Sequence, residues 1–395
     1  MAKATQPHNM IEQAQEHNIK TVYLKAPDTT EHKPAQPKPA GHPNMPKHKT
    51  VPLKAAVIGA GYMGSAITFP LSANNIEVNL WGTWLDDKII EASLAGFHPK
   101  LKKALPPSVI PLYSKDLGKA LSGIDMLFIA VTSEGFVRVF EMVLDNLTSP
   151  VCFFKLTKGL VNYKGSIVRA TQAALDMLGK KFGPQDFAWA TIGGPVRALD
   201  LSYEMPSVSM YGITNEKIKE IIPKLKTDYY RIVAKEDVIG VELSSTFKNI
   251  YAMTPGICDG LFREKYDGLY FNFTALLFAQ AAKEISKIVE RAGGERDTVF
   301  DFAGVGDLYV TSAAGRNRKL GELVGRGIDP QKAFKDMTDD GEYGEGYVAL
   351  ELAAPWLKTL DKKIIDELPL FKTLFKIFFN GGKPIDELKK LVLKI

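Results

Sequence analysis

Histidine is scarce in most of this chain, and its scarcity limits the proton chemistry that can be expected. Five of the six histidines lie within residues 1–50, and only His98 lies beyond them. Mechanisms and metal sites built on histidine need several imidazoles in the folded part of a protein. We therefore expect no metal site, and we expect any proton transfer to use Lys, Asp, Glu or Tyr.

Cysteines and long hydrophobic runs are also few. The two cysteines, Cys152 and Cys258, have no metal-ligand spacing and cannot form a disulfide framework, which indicates a reducing compartment. The longest apolar run, near Ile124–Val131, contains Asp125 and is too short to span a bilayer. The N-terminal stretch is polar and lacks the apolar region of a signal peptide. These features predict a cytoplasmic protein without an integral membrane segment.

The net charge of +5 is concentrated at the N-terminus. Residues 1–50 contain seven lysines and four acidic residues, so they carry +3, and the other 345 residues are nearly balanced. The same fifty residues are rich in Pro, Lys and His and have little apolar periodicity, which predicts a disordered arm. A nearly balanced charge beyond the arm gives no support for nucleic-acid binding.

A dinucleotide-binding pattern begins directly after the arm. A short apolar strand, Lys54–Ile58, leads into the glycine-rich run 59–64, GAGYMG. A predicted helix, Ser65–Asn74, and a second predicted strand, Glu77–Trp81, follow. The order strand, GxGxxG, helix, strand is the context that a dinucleotide-binding site requires.

Each glycine of this run has a separate expected task. Gly59 would make the tight turn, Gly61 would let the diphosphate approach the backbone, and Gly64 would let the helix pack on the strand. The first amides of the helix would then face the diphosphate.

The end of the second strand does not decide between NAD and NADP. An acidic residue there would bind the ribose hydroxyl of NAD, and an arginine would bind the extra phosphate of NADP. Residues 80–84 read LWGTW, and the first acidic residues are Asp86 and Asp87. The missing arginine favours NAD slightly.

Further strands and helices predict an α/β domain followed by a helical one. The additional strands are expected at Ile124–Val131, Val151–Leu156 and Trp189–Ile192, with Ser207–Gly212 closing the sheet. From about Val238 the pattern is helical, with a long helix over Thr274–Ala292. The predicted fold is a mostly parallel Rossmann domain over residues 51–235 and an all-α domain over residues 236–395, preceded by the disordered arm of residues 1–50.

Lys248 is the first candidate for proton transfer. It lies in the run 240–260, GVELSSTFKNIYAMTPGICDG, where Leu243, Phe247 and Ile250 form one apolar helical face. A second face, on which Lys248 lies, otherwise carries small side chains, so a ligand could approach it closely. Partial burial would lower the pKa of this lysine and suit it for acid–base work. The alternative is a lysine whose stem packs while its amine stays in solvent.

Two further basic features complete the candidate site. Lys158 follows a predicted strand in the run Thr157-Lys158-Gly159, and the alternative is an ordinary turn lysine. The run 315–319, GRNRK, offers an arginine, an asparagine and two more cations that suit a phosphate, and the alternative is a solvated basic turn.

Taken together, these runs resemble the NAD(P)-dependent sn-glycerol-3-phosphate dehydrogenase family. The matching runs, in family order, are GAGYMGSA (59–66), TKG (157–159), GGP (193–195), GVELSSTFKNIYA (240–252), AGVGDLYVT (303–311), GRNRKLGELVGRG (315–327) and GEG (344–346). The resemblance covers about residue 54 to 395 and leaves the arm out. One departure is the run Gly194-Pro195-Val196-Arg197, whose Arg197 could alter cofactor preference.

The resemblance implies roles for individual residues. The implied catalytic residues are Lys248 as the general acid–base, Lys158 as a second cation at the reacting oxygen, and Asp307 as their orienting partner. The implied cofactor-binding residues are Gly59, Ala60, Gly61, Tyr62, Met63, Gly64, Lys158, Ala198, Arg316 and Glu345. The implied substrate-binding residues are Lys158, Gly194, Lys248, Asn249, Asp307, Thr311, Arg316 and Asn317.

The implied reaction is the reversible reduction of dihydroxyacetone phosphate to sn-glycerol 3-phosphate, in a homodimer that supplies glycerolipid synthesis or redox balance. Two cations at the ketone oxygen would stabilise its developing charge, and their repulsion would make one of them a usable acid. The alternatives are a related hydroxyacid dehydrogenase and a catalytically silent NADH sensor. The GRNRK run argues against the first, and the presence of Lys158, Lys248 and Asp307 together argues against the second.

Overall fold

The computed structural model describes residues 52–266 and 269–393, and the predicted disordered arm of residues 1–50 lies outside them. The strands in this part of the chain are β1 (Lys54–Ile58), β2 (Glu77–Trp81), β3 (Val109–Leu112), β4 (Met126–Ile129), β5 (Cys152–Lys155), β6 (Leu160–Tyr163), β7 (Ser166–Arg169), β8 (Trp189–Gly193), β9 (Ser207–Ile213) and β10 (Tyr230–Lys235). The α-helices in it are α1 (Tyr62–Ala73), α2 (Asp87–Leu94), α3 (Leu117–Ala120), α4 (Ser133–Asn146), α5 (Ala170–Phe182), α6 (Ala198–Ser202), α7 (Glu216–Ile221), α8 (Val238–Tyr251), α9 (Met253–Tyr266), α10 (Phe271–Arg291), α11 (Arg296–Val299), α12 (Asp307–Ala313), α13 (Arg316–Gly325), α14 (Pro330–Asp339), α15 (Glu345–Leu360), α16 (Pro369–Phe379) and α17 (Pro384–Val392).

Eight strands form one sheet in the order β10-β9-β8-β5-β4-β1-β2-β3. Neighbouring strands run parallel, except that β8 and β9 are antiparallel. Strand β1 lies between β2 and β4, with Ile58 opposite Trp81 on one side and Ile129 on the other. The carboxyl ends of these central strands therefore meet at one edge, where ligands bind in open α/β sheets.

Both faces of the sheet are covered, as the sequence of β1 requires. Ala55 and Val57 pack into one apolar cluster, and Ala56 and Ile58 pack into another on the opposite face. Because successive side chains of a strand point to opposite faces, a strand with no polar residue after its first must be buried on both.

Beyond β10 the chain is helical and has its own core. Helix α8 contributes Leu243, Phe247 and Ile250 to a cluster that continues into α10, α15 and α16. The predicted apolar face of this helix is thus confirmed. The described residues include no helix of the length and apolarity that crossing a membrane would demand.

The predicted fold class, a mostly parallel Rossmann sheet followed by helices, is confirmed. The strands expected at 54–58, 77–81, 124–131, 151–156 and 189–192 and the helix expected at 274–292 all exist, with bounds that differ by three residues or fewer. The expectation that Ser207–Gly212 closes the sheet was wrong, because β10 pairs outside β9. Strand β3, which contains Pro111, was also missed, and the edge of a sheet is where proline is tolerated.

Candidate active site

The glycine-rich loop joins β1 to the first turn of α1 and leaves room for a ligand. Gly59 has φ +107°, and a Cβ on it would lie 2.8 Å from the Ala130 carbonyl oxygen. A Cβ on Gly64 would lie 2.0 Å from the Gly59 carbonyl oxygen, so helix and turn are in direct contact. A Cβ on Gly61 would meet no described protein atom within 4 Å.

The amides at the start of α1 fit an anion in that open space. Gly61 precedes the helix and provides no side chain to cap it, and Tyr62 and Met63 begin the first turn. Helix N-termini with free amides and a positive dipole end bind phosphate. The residues present therefore suit the diphosphate of a dinucleotide, and the predicted run 59–64, including Ala60, is the part of the chain that would hold it.

Helix α8 carries the first candidate lysine into the interior. Asp237 caps its N-terminus by accepting a hydrogen bond from the Gly240 amide at 2.8 Å. The helix ends at Tyr251, and α9 begins at Met253 with Pro255 in its first turn, where proline is tolerated. All residues from Gly240 to Tyr251 are buried, so Lys248 lies on a helix that is covered on every side.

Two lysines meet on one carboxylate. Lys158, in the loop after β5, places Nζ 3.1 Å from Asp307 Oδ2, and Lys248 donates to Oδ1 of the same carboxylate. Lys248 also donates to Thr311 Oγ1 at 2.7 Å. We call Lys158, Lys248, Asp307 and Thr311 the lysine cluster.

Burial excludes the two simpler interpretations of these lysines. The side chain of Lys248 is 6% exposed, so it does not extend its amine into solvent. The side chain of Lys158 is 22% exposed and paired, so it is not an ordinary turn lysine. Of the two, Lys158 is the one that faces outward.

Burial and neighbouring charges shift the pKa values of the two lysines in opposite directions. The pKa of Lys248 is lowered to about 7, because burial penalises its charged form and the charge of Lys158 adds to that effect, while Asp307 opposes both. Burial alone would also lower the pKa of Lys158, but the carboxylates of Asp307 and Glu345 outweigh it and the pKa is raised. Burial alone would raise the pKa of Asp307, but the two lysines outweigh it and hold the pKa below its usual value. At neutral pH, Lys158 and Asp307 are therefore charged, and Lys248 can gain or lose a proton.

A π-helical turn delivers Asp307 to this position. It spans Phe302–Gly306 and runs directly into α12, which begins with Asp307. A Cβ on Gly304 would lie 1.9 Å from the Val299 carbonyl oxygen, so the turn is packed tightly on the end of α11. Such π-turns are frequent at functional sites.

A second set of polar side chains adjoins the lysine cluster. Asn249, next to Lys248 in α8, donates to Glu345 Oε2 at 2.9 Å and accepts from Asn317 at 3.1 Å. Asn317 in turn accepts from the Gly346 amide at 2.9 Å, and Arg316 donates to Glu345 Oε1 at 3.4 Å. The predicted residues of α8, α13 and α15 are thus in contact.

Only part of the GRNRK run contributes to this set. Arg318 binds Asp259 of α9, with Nε 2.7 Å from Oδ2, and donates to the Ser312 carbonyl oxygen at 2.6 Å. Lys319 pairs with half-buried Glu342 at 2.6 Å. Of the three cations of this run, Arg316 alone is bonded to the polar set, through Glu345, and no hydrogen bond in the described part of the chain joins Arg318 or Lys319 to that set.

Gly194 and Ala198 make no hydrogen bond to the lysine cluster within residues 52–266 and 269–393. Gly194 has φ +133° directly after β8, and a Cβ on it would lie 2.9 Å from the Val208 carbonyl oxygen. Ala198 begins α6 and packs, partly buried, on the apolar cluster of one sheet face. Their implied contacts with substrate and cofactor stay predictions.

Sequence reasoning missed a second buried ion cluster on α8. Glu242 Oε1 lies 3.0 Å from Lys155 Nζ, and Glu242 Oε2 lies 2.9 Å from an Arg169 guanidinium nitrogen. The Thr171 amide also donates to Oε1 at 2.9 Å. A lysine within the apolar run Cys152–Leu156 was the available signal, since an unpaired charge is not buried in a strand. We call Lys155, Arg169 and Glu242 the glutamate cluster.

Comparison with known protein families places these features in context. Residues 54–219 match the family described as NAD-dependent glycerol-3-phosphate dehydrogenase N-terminus. Residues 237–389 match the corresponding family described as the C-terminus of the same enzyme. The two matches follow each other in order and exclude residues 1–53.

Individual relatives agree with the family match. The chain is 29% identical over 336 residues to an NADP(+)-dependent glycerol-3-phosphate dehydrogenase of Archaeoglobus fulgidus, covering 83% of this chain and 96% of the relative. It is 28% identical over 347 residues to a glycerol-3-phosphate dehydrogenase [NAD(P)+] of Shewanella halifaxensis, covering 85% and 94%. A crystal structure of glycerol-3-phosphate dehydrogenase from Coxiella burnetii is similar with a TM-score of 0.73 and 26% identity, covering 86% of this chain and 99% of that one.

Proposed function

The chain belongs to the NAD-dependent glycerol-3-phosphate dehydrogenase family, and from that premise we propose that the lysine cluster is its catalytic centre. The protein is an NAD(P)-dependent oxidoreductase that interconverts sn-glycerol 3-phosphate and a three-carbon ketone phosphate, dihydroxyacetone phosphate. The observation that supports the lysine mechanism best is that two lysines share one buried carboxylate and that only Lys248 has a pKa near 7.

The nicotinamide cofactor, when bound, supplies or accepts a hydride. The residues that would hold it are those of the glycine-rich loop and the start of α1, together with Lys158, Ala198, Arg316 and Glu345. Of these, Arg316 and Glu345 are in contact with each other and with the polar set beside the lysine cluster.

The two lysines divide the work at the substrate oxygen. Lys158, charged and partly exposed, stabilises the negative charge that develops on the C2 oxygen during ketone reduction. Lys248 donates its proton to that oxygen, and it accepts the proton in the direction of oxidation. Asp307 holds both amines near one point, and its charge keeps the cost of bringing two cations together low.

The phosphate of the substrate is assigned to the polar residues next to this centre. Arg316 has a guanidinium that binds phosphate oxygens in a bidentate manner, and Asn317, Asn249 and Thr311 offer further donors. Thr311 is bonded to Lys248 itself, and Asn249, Asn317 and Arg316 form a second hydrogen-bonded set with Glu345 that begins at the residue after Lys248.

A direct assay tests this function. Dihydroxyacetone phosphate is added to purified full-length protein with NADH and, separately, with NADPH, and oxidation of the cofactor is followed by absorbance. We expect oxidation with at least one cofactor. Binding of NADH without oxidation would support the silent sensor, and turnover of unphosphorylated 2-oxoacids in place of dihydroxyacetone phosphate would support a hydroxyacid dehydrogenase.

We propose NAD as the preferred cofactor. The turn after β2 contains no arginine, and the Asp86 carboxylate, which accepts from the Thr83 amide at 3.1 Å, is its first charged group. A carboxylate near the ribose repels the extra phosphate of NADP. Arg197, which could have altered this preference, is half exposed and lies 3.8 Å from Asp200. Equal kcat/KM values for NADH and NADPH in the assay above would refute the preference.

The remaining expectations rest on family resemblance and are proposals too. We propose a cytoplasmic homodimer with a Rossmann domain over residues 51–235 and a helical substrate domain over residues 236–395. The glycerol 3-phosphate that it forms would serve glycerolipid synthesis or the reoxidation of NADH. Light scattering during gel filtration tests the dimer, and a single chain mass at micromolar concentration would refute it.

A further inference from the structure

We propose that Lys155 and Glu242 are positioning residues that fix the Lys158 loop against α8, so that both lysines reach Asp307. This inference rests on the proposed function of the lysine cluster. Neither residue touches the proposed reacting atoms, and both would act through Lys158.

Lys155 joins the Lys158 loop to α8. Lys155 is the last residue of β5 and is 1% exposed. Its Nζ lies 3.0 Å from Glu242 Oε1 and donates to the Thr157 carbonyl oxygen at 2.9 Å. One buried amine therefore links the residue before Lys158 to α8.

The residue after Lys158 is held to the same helix. The Gly159 amide donates to Thr246 Oγ1 at 3.1 Å, and the Thr246 hydroxyl donates to the Glu242 carbonyl oxygen at 2.8 Å. Glu242 and Thr246 are one helical turn apart, and Thr246 is two residues before Lys248. Both backbone neighbours of Lys158 are thus tied to the helix that carries Lys248.

The charge balance of the glutamate cluster supports a role in geometry. Three donors, Lys155, Arg169 and the Thr171 amide, satisfy the Glu242 carboxylate. Their attraction outweighs the burial that alone would raise the pKa of Glu242, and the pKa is lowered. Replacing a buried ion pair with well-packed apolar residues often leaves a protein equally stable. We therefore attribute the glutamate cluster to the backbone arrangement that it enforces, and not to added stability.

The test combines kinetics with hydrogen exchange in the full-length protein. In Lys155→Met the aliphatic stem is kept and the amine is lost, so the Thr157 carbonyl and Glu242 lose one partner. We expect kcat for ketone reduction to fall on the order of 10- to 100-fold, as small misplacements of catalytic groups do. We expect the KM for dihydroxyacetone phosphate and the Kd for the cofactor to change by a smaller factor than kcat, because residues other than Lys158 also bind each of them.

A double-mutant cycle separates positioning from general destabilisation. In a Lys158→Met background, Lys155→Met should have no further effect on kcat, because Lys155 acts through Lys158. The control is Glu284→Gln, which alters another buried carboxylate, bonded to Tyr251 and to the Leu370 amide. This control should lower the melting temperature and leave kcat unchanged. Additive losses in the cycle, or an unchanged kcat in Lys155→Met, would overturn the inference.

Hydrogen exchange reports on the loop without any catalysis. Lys155→Met should accelerate exchange of the amides of residues 157–159, and Glu284→Gln should not. If Lys155→Met fails to fold, Thr246→Val serves instead, because it removes the acceptor of the Gly159 amide and keeps the side-chain shape. If the wild-type protein shows no turnover, the proposed function is refuted, but the exchange experiment still tests whether Lys155 fixes the loop. Unchanged exchange in the loop would refute the positioning role alone.

Discussion

The lysine cluster and the glutamate cluster each include one residue of α8, Lys248 and Glu242, and the same number of ionisable groups, yet they are suited to different work. Each has two cations and one buried carboxylate. In the glutamate cluster one cation is Arg169, which does not lose its proton in proteins, and Lys155 is 1% exposed with a second partner in a carbonyl oxygen. In the lysine cluster both cations are lysines, and Lys158 is 22% exposed.

This difference shows what distinguishes a reactive ion cluster from a structural one. Burial and ion pairing do not distinguish the two kinds of cluster, because both clusters are buried and paired. A reactive cluster also needs a cation that can give up its proton and a path by which a ligand can reach it. Lys248 meets the first condition and the neighbouring Lys158 the second. In the glutamate cluster burial also lowers the pKa of Lys155, but that amine is 1% exposed and bonded to Glu242 and Thr157, and Arg169, the cation that is partly exposed, does not lose its proton.

The largest expected effect is that of Lys248→Met. We expect kcat to fall by about 10³-fold, because a positioned general acid contributes roughly 10²–10⁴-fold. Fluorescence titration should show that the cofactor still binds. A kcat within tenfold of wild type would end the lysine mechanism, and a larger loss in Lys155→Met than in Lys248→Met would reverse the roles of the two clusters.

Asp307→Asn should have the next largest effect. It leaves two cations without their shared carboxylate, and breaking a buried ion pair costs about 3 kcal/mol or more in the free energy of unfolding. The loss of orientation should also lower kcat by about 10²-fold. Urea unfolding and steady-state kinetics measure the two effects, and wild-type values for both would show that Asp307 does not hold the lysines together.

Gly61→Ala tests the cofactor side of the site. No described protein atom lies within 4 Å of the Cβ that this change would add, so we expect wild-type stability. The methyl group would enter the space assigned to the diphosphate, and overpacking costs roughly 1–3 kcal/mol. The Kd for NADH should therefore rise about tenfold or more, as measured by titration. An unchanged Kd would move the diphosphate away from this loop.

Arg316→Ala should have the smallest effect of this series. The side chain is 40% exposed, so the loss of one charged hydrogen bond to phosphate should be at the weak end, roughly 1.5 kcal/mol. We expect about a tenfold increase in the KM for dihydroxyacetone phosphate with little change in kcat. Arg318→Ala is the matched control, because Arg318 binds Asp259 and should affect stability only.

Much of the fold could be predicted because its signals are local. The apolar run of β1, the glycine run and the helix after it are all properties of neighbouring residues, and each was found at the expected place. Strand β10 was missed because it is an edge strand with exposed Arg231 and Val233, and such strands lack a continuous apolar pattern.

The candidate site could be predicted only as a set of residue types. Lys248 and Lys158 were identified from their runs, but nothing local shows that Asp307, 59 residues beyond Lys248, accepts from both. The partners of Arg318 and Lys319 could not be predicted from the sequence either, because Asp259 and Glu342 lie on other segments of the chain. Long-range contacts, and not composition, decide which charged side chains come together at the site.

The most direct test of the lysine mechanism is the pH dependence of kcat/KM in both directions, measured between about pH 6 and 9. Because Lys248 has a pKa of about 7 and must be protonated to reduce the ketone, ketone reduction should fall as pH rises through 7. Oxidation of glycerol 3-phosphate needs the neutral amine and should rise over the same range. The residual activity of Lys248→Met should lack both inflections. Profiles without an inflection near pH 7 in the wild type, or an inflection that persists in Lys248→Met, would contradict the assignment of Lys248 as the acid–base.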